Sequence, residues 1–294
     1  MYNGILQNPG WLNKTDYGDA AIFYRNQWAG VNGGPVTQAA LFNLPVAKEK
    51  LMIGASFLNS NIGITQRFQG AANIAYRFHI TKNTVMSLGL KAGITQFKLK
   101  QDDLILSDDI SQDEAFLNAF QNTILPDFGF GAVIRSENAL LGVSVMHLVP
   151  NSISFGSEIE QSKFADLSRH YYLMGSYNFD YGLLDFTPSA LIKYVSQAPV
   201  QVDLNLNITY NDLVWGGVSY RTGDAIALMS GVYLYSKDDQ KSRIFKIGYA
   251  YDLTQSALNQ YSNGTHEIMV TVNFRVKSKI KCADEKPSFI SPQD

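Results

Sequence analysis

Val200-Gln201-Val202-Asp203-Leu204-Asn205-Leu206-Asn207-Ile208-Thr209-Tyr210 alternates without exception. Val200, Val202, Leu204, Leu206, Ile208 and Tyr210 fall on one side; Gln201, Asp203, Asn205, Asn207 and Thr209 fall on the other. Successive side chains of a strand point to opposite faces, so one face is wholly apolar and the other wholly polar. Two environments fit: a soluble sheet with one face in a core, or a barrel with lipid outside and water inside.

Composition favours the barrel. Charged residues make up 17% of the 294-residue chain, against roughly 25% in soluble domains. The mean hydropathy is -0.09, and the sequence has no run of about 18 apolar residues such as a spanning helix needs. Aromatics reach 12%, with 16 Tyr among them. A transmembrane β-barrel spreads its apolar residues over one face of many strands, which gives this profile. The net charge of -2 predicts no polyanion-attracting field and hence no nucleic-acid partner. Cys282 is the single cysteine, so no internal disulfide forms and the bland reading is a free surface thiol. Residues 1–10 lack the basic region and apolar core of a signal peptide. A leader cleaved or trimmed ahead of this numbering is therefore expected.

Outward from residues 200–210, the same alternation recurs. Strands are expected at 18–28, 36–44, 51–59, 70–80, 85–98, 126–135, 139–148, 169–180, 184–195, 200–210, 213–221, 225–235, 243–253 and 265–276. That is about fourteen antiparallel strands, mostly of the length that crosses a bilayer when tilted. The long interruptions at 99–125, 149–168 and 254–263 all follow odd-numbered strands, whereas the connections after even-numbered strands are short. Outer-membrane barrels put long loops outside and short turns in the periplasm. The expected organisation is an N-terminal periplasmic or lumenal segment (1–17), a barrel (18–276) embedded in outer-membrane lipid with both termini periplasmic, and a flexible periplasmic tail (277–294).

Strand charges are expected in the lumen, because an Arg or Lys facing mid-bilayer costs about 2–4 kcal/mol. Arg25, Arg77, Lys91, Lys193, Asp203 and Arg221 are the candidates, either tying together a plugged interior or lining a selective pore. Lys246 falls inward by the same alternation. Residues 1–17 are long enough to fold into the lumen and close it. In the tail, Lys277, Lys279 and Lys281 are candidate partner-binding residues of a docking peptide. The acidic loop at 99–125 offers Asp102, Asp103, Asp108, Asp109, Asp113 and Glu114; it reads as a solvated face, with calcium as the sharper alternative.

Catalytic patterns are weak. His266-Glu267 begins like a zinc-protease helix, but Val270 stands at the second ligand position and the segment alternates as a strand. Ser144 and His147 lie three apart on one expected strand, hence on opposite faces. Gly129-Phe130-Gly131 lacks the third glycine of a nucleotide loop. No enzyme activity, cofactor or metal is expected.

Several motifs, in order, carry a family resemblance. They are Asn8-Pro9-Gly10, Arg25-Asn26-Gln27-Trp28, Gly33-Gly34-Pro35, Asn59-Ser60-Asn61-Ile62-Gly63, Ala75-Tyr76-Arg77, Leu88-Gly89-Leu90-Lys91-Ala92-Gly93 and Pro126-Asp127-Phe128-Gly129-Phe130-Gly131. Tyr220-Arg221, Gly223-Asp224-Ala225, Gly248-Tyr249-Ala250-Tyr251-Asp252 and Gly264-Thr265-His266-Glu267 continue the series. Together they resemble the PorP/SprF family of the Bacteroidetes type IX secretion system over about residues 1–276. Gly10-Trp11-Leu12 departs from the family's usual opening and affects only the local turn. The resemblance implies a non-catalytic outer-membrane barrel of secretion or gliding motility. Its implied partners are periplasmic ring components and a peptidoglycan-binding lipoprotein, or one secreted adhesin whose C-terminal domain it helps to export and hold. A passive or ligand-selective channel or porin for small solutes is the alternative function.

Overall fold

The computed structural model describes residues 4–11, 17–46, 50–99, 123–155, 162–223, 225–235, 243–254 and 261–275. A helical turn, α1 (Gly4–Gln7), precedes the first strand. The strands are β1 (Tyr17–Asn26), β2 (Val36–Val46), β3 (Leu51–Ile62), β4 (Thr65–His79), β5 (Val85–Leu99), β6 (Thr123–Arg135), β7 (Ala139–Met146), β8 (Asn151–Phe155) and β9 (Ser162–Leu167). They continue with β10 (His170–Tyr177), β11 (Phe179–Tyr181), β12 (Leu184–Val195), β13 (Gln201–Tyr210), β14 (Val214–Arg221), β15 (Ala225–Tyr235), β16 (Arg243–Thr254) and β17 (Thr265–Arg275). Neighbours pair antiparallel, β1 pairs with β17, and β10 pairs with both β7 and β12, so the sheet closes on itself. With β10 and β11 as two halves of one strand, the result is a barrel of 14 strands. The β8–β9 hairpin forms a separate two-stranded sheet.

Alternation decides which face each residue takes. On β1, Ile22 and Tyr24 are exposed while Ala21 and Phe23 are buried. On β5, Leu88, Leu90 and Ile94 point outward while Ser87 and Thr95 are completely buried. On β13, Leu204 and Leu206 face out and Asp203 faces in. The outer surface is therefore an apolar band running round the wall, which is the arrangement hydrocarbon demands, and the interior mixes polar and charged side chains with apolar ones. Among the described residues no helix is long and apolar enough to cross a membrane; the strands make the crossing. Tyr194, Tyr210 and Tyr235 are exposed near strand ends, where an amphipathic ring bridges apolar and polar layers.

The longest connections, at 27–35, 100–122, 147–169 and 255–264, all fall at one end of the barrel. The opposite end carries short turns, such as Tyr210–Leu213, where Asn211 and Asp212 hold φ of 48° and 54°. Two successive positive φ values make a type I′ turn, whose twist matches a hairpin. Tyr17 pairs with Arg275, so the wall begins and ends at this short-turn end.

Three local expectations need correction. Strands were expected to stop at residue 59 and resume at 70; instead β3 runs to Ile62 and β4 starts at Thr65. Gly63 holds φ of 53°, which lets two residues reverse the chain, and the polar Asn59–Gln69 stretch belongs to lumen-facing wall rather than to a loop. The strand expected at 169–180 is broken: pairing with β12 lapses opposite Pro188 and Thr187 and resumes in the same register at Phe179. Pro188 has no N–H to contribute to a ladder. The gap is bridged instead by Thr187 Oγ1 donating to Asn178 Oδ1 at 2.9 Å, while on the opposite side Asn178 N extends the pairing with β7 by donating to the Asn138 carbonyl at 2.7 Å. Finally, Ser144 and His147 do not lie on opposite faces. β7 ends at Met146, and His147 takes φ of 56°, which swings its ring into the lumen on the same side as Ser144.

Charge on the outer face tests this assignment. Leu90→Arg, at an outward position near the middle of β5, is expected to destabilise the barrel in lipid vesicles by about 2–4 kcal/mol. Leu90→Val is expected to cost less than about 1.5 kcal/mol. Urea unfolding followed by far-UV circular dichroism reads both.

Candidate functional site

The lumen is occupied by the chain's own N-terminal segment. Asn8 N donates to the Gly4 carbonyl at 2.8 Å, Trp11 N to the Asn8 carbonyl at 3.0 Å, and Gly10 N to Asn8 Oδ1 at 2.9 Å. These bonds fold residues 4–11 into a tight knot. Asn8, 0% exposed, then pins the knot to the wall: its Nδ2 donates to the Ala132 carbonyl on β6 at 3.2 Å and to the Val143 carbonyl on β7 at 3.0 Å. Ser144 Oγ donates to the Gln7 carbonyl.

The wall beneath is stripped of side chains. A Cβ on Gly89 would strike the Pro9 carbonyl, one on Gly131 would strike Asn8 Oδ1, and one on Gly142 would lie 3.0 Å from Asn8 Nδ2. These three glycines on β5, β6 and β7 form a seat that only a close backbone approach can fill. Apolar contacts complete the plug. Ile5 packs with Ala21, Phe23, Ala39, Leu41 and Met269, while Trp11 bridges this group to Val133, Leu140, Met174 and Leu191. Arg135 lies over the Trp11 ring at 5.8 Å.

Four of the candidate charges meet near the long-loop end. Arg25 Nη2 pairs with Asp252 Oδ2 at 2.8 Å and Nη1 with Glu267 Oε2 at 3.6 Å. Lys193 Nζ pairs with Asp203 Oδ2 at 2.7 Å, and Arg221 bridges Asp203 at 3.4 Å and Asp252 at 4.0 Å. The pairs run along one stretch of wall, linking β12, β13 and β14 to β16, β17 and β1, and rim an open recess of about 400 Å3.

Lys91 lies apart from them. Its Nζ donates to Asp127 Oδ2 at 2.8 Å, and His147 Nδ1 contacts Asp127 Oδ1 at 2.8 Å. Asp127 is 1% exposed, so both of its oxygens are held by these neighbours. Arg77 is a third location: it is 3% exposed near the short-turn end, with Nη2 3.3 Å from Met52 Sδ. On the wall across from the plug, Lys246 Nζ sits over the rings of Trp215 at 4.3 Å and Tyr233 at 5.2 Å. Lys277, Lys279 and Lys281 lie outside the described residues, as does the acidic loop proposed for calcium.

Asp127, Asp252 and Asn8 are not among the candidate site residues of the sequence, and His147 and Glu267 enter only within the weak catalytic patterns. Alternation did place Asp127, Asp252 and Glu267 on inward faces, so their pairing with inward Lys and Arg was within reach. The pairing between distant strands, such as Arg25 with Asp252, was not. Asn8-Pro9-Gly10 was read as a turn, and nothing local said that the turn docks on glycines more than 70 residues away.

A family model for the type IX secretion system membrane protein PorP/SprF matches residues 1–272. The chain belongs to the PorP/SprF family. A search of curated proteins found no match. Among solved structures, the barrel is similar to the CymD monoaromatic hydrocarbon channel, with a TM-score of 0.59 at 10% identity, covering 93% of this chain and 92% of that one. A FadL homologue of Pseudomonas aeruginosa gives a TM-score of 0.55 at 9% identity, covering 91% and 92%. The toluene transporter TodX of Pseudomonas putida gives 0.54 at 8% identity, covering 92% and 93%. These likenesses establish the fold, an outer-membrane barrel, and with the family place this PorP/SprF protein in the outer membrane as a type IX secretion membrane component.

The glycine seat makes a specific prediction for the PorP/SprF plug. Gly131→Val puts two methyl groups where Asn8 lies, so residues 4–11 are expected to leave the wall and become cleavable by added protease while the barrel core stays resistant. Mass spectrometry of the digest is the readout, and an N-terminal segment as protected as in the wild type would refute the seat.

Proposed function

We propose that this protein is a non-enzymatic anchor of the type IX secretion system, binding a protein partner at the outer membrane. The observation that carries the reading is the plugged lumen in a chain of this family. A wall of 14 strands encloses more space than side chains alone fill, and here the chain's own residues 4–11, with ion pairs along the lumenal wall, take up much of that space. A barrel so filled offers its rims and loops, not its bore, as the working surface.

The long loops then face outward, and the short turns and both barrel ends face the periplasm. The partner is a secreted surface adhesin, held through its C-terminal domain, or the periplasmic ring and peptidoglycan-binding components of the machinery, with gliding motility as the setting. Lys277, Lys279 and Lys281 are the proposed periplasmic contacts in the second case. A channel for small solutes is the competing reading, favoured by the polar recess rimmed by Arg25, Lys193 and Arg221 and by what the solved neighbours are named for.

Two experiments separate these. Affinity purification of the full chain from native membranes in mild detergent is expected to recover a secreted protein with a sorting domain or the ring proteins; repeated recovery of the barrel alone rejects the anchor. In planar bilayers the wild-type barrel is expected to be silent, and deletion of residues 4–11 is expected to produce steady conductance. Open-channel currents from the intact protein would favour the channel.

A further inference from the structure

Between the plug and the long-loop end lies a cavity of about 300 Å3. Leu6 and Gln7 of the plug line one side of it, and Arg67, Gln69, Lys91, His147, His170 and Tyr172 are among its other walls. Among the described residues no Asp or Glu lines it. At about 30 Å3 per water it has room for about ten waters, or one small solute.

Its charge is unusual for this lumen. Arg25, Arg221 and Lys193 all face carboxylates within 4.0 Å. Lys91 and His147 share Asp127, whose two oxygens they occupy. Arg67 is matched less directly: among the described residues it makes no hydrogen bond or ion pair, its Nε is buried without a partner, its guanidinium lies 5.6 Å from the centre of the Phe97 ring, and the carboxylate whose charge reaches it, Asp127, is already held by Lys91 and His147. A buried guanidinium N–H with no acceptor is costly. Tyr172 is a second open donor, with no hydrogen-bond partner for its hydroxyl among the described residues. Its ring is held flat against His170, 6.3 Å away and 12° from parallel. A fixed guanidinium and a fixed phenol, opening onto a cavity that has no acid group among the described residues, form an arrangement that takes an anion with oxygens to accept from both.

We propose that this cavity binds a small oxyanion of the carboxylate class, with Arg67 as its principal partner and Tyr172 and Lys91 beside it. The carboxylate belongs either to a free organic acid or to an acidic peptide end entering from the long-loop rim. This inference stands apart from the anchoring role, since the site exists whatever the barrel binds on its rims.

Isothermal titration of the full chain in nonionic detergent tests it, with citrate as one probe and a short polyglutamate peptide as the other. Saturable binding is expected for at least one probe, weakened about tenfold or more by Arg67→Gln and by a smaller factor by Tyr172→Phe. Citrate alone would identify a free acid as the occupant, and peptide binding would identify a chain end. Each variant is first checked for wild-type far-UV circular dichroism; should Arg67→Gln fail to fold, Tyr172→Phe carries the test. No saturable binding of either probe, or an affinity unchanged in the folded variants, overturns the proposal.

Discussion

Hydrocarbon offers no partner to a peptide group, and the rest of this molecule follows from that. Every N–H and C=O in the wall must find its mate in the wall, so the strands close into a ring through β1 with β17 and β10 with β12. Pro188, within β12, shows how strict the rule is. Pro188 interrupts the ladder, and the side chains of Asn178 and Thr187 bond across the gap, without any shift of register.

Closure in turn creates a problem of volume. The circumference is fixed by strand number, and an interior this wide must be filled or left wet. This barrel fills it unevenly. Along β5, β6 and β7, glycine removes side chains so that a backbone knot can sit against the sheet. On the far wall, the Trp215 ring covers Gly231 and Gly248, a large side chain laid over bare strand, with Lys246 on its face. Toward the long-loop end, ion pairs tie neighbouring strands of one wall together. Buried pairs of this kind contribute little net stability over an apolar filling.

How much of this was legible in the sequence depends on whether the cause was local. The outward and inward faces of β5, β13 and β17 could be read because period-2 alternation is a property of neighbouring residues. The inward direction of Arg25, Arg77, Lys91, Lys193, Asp203 and Arg221 followed from the same rule. Partners could not be read, because Arg25 and Asp252 meet only through the closure of the ring. His147 broke the alternation through one positive φ, which no neighbouring residue announces. The tight turn at Gly63 was hidden by the polar residues flanking it, which look like a loop until their lumenal location is known.

The seam between β1 and β17 pairs residues as far apart as Tyr17 and Arg275, and this sets an order of events. Each other junction joins strands that are successive crossings of the wall, so the sheet can grow hairpin by hairpin, and the ring closes only when the last strand arrives. Contacts of such long sequence separation form slowly. The seat for residues 4–11 lies on β5 to β7 and is complete well before β17 exists to meet β1. The knot therefore has its docking place while the sheet is still an open curl, and the final zipping of the seam encloses a segment already in position rather than requiring it to thread into a finished ring.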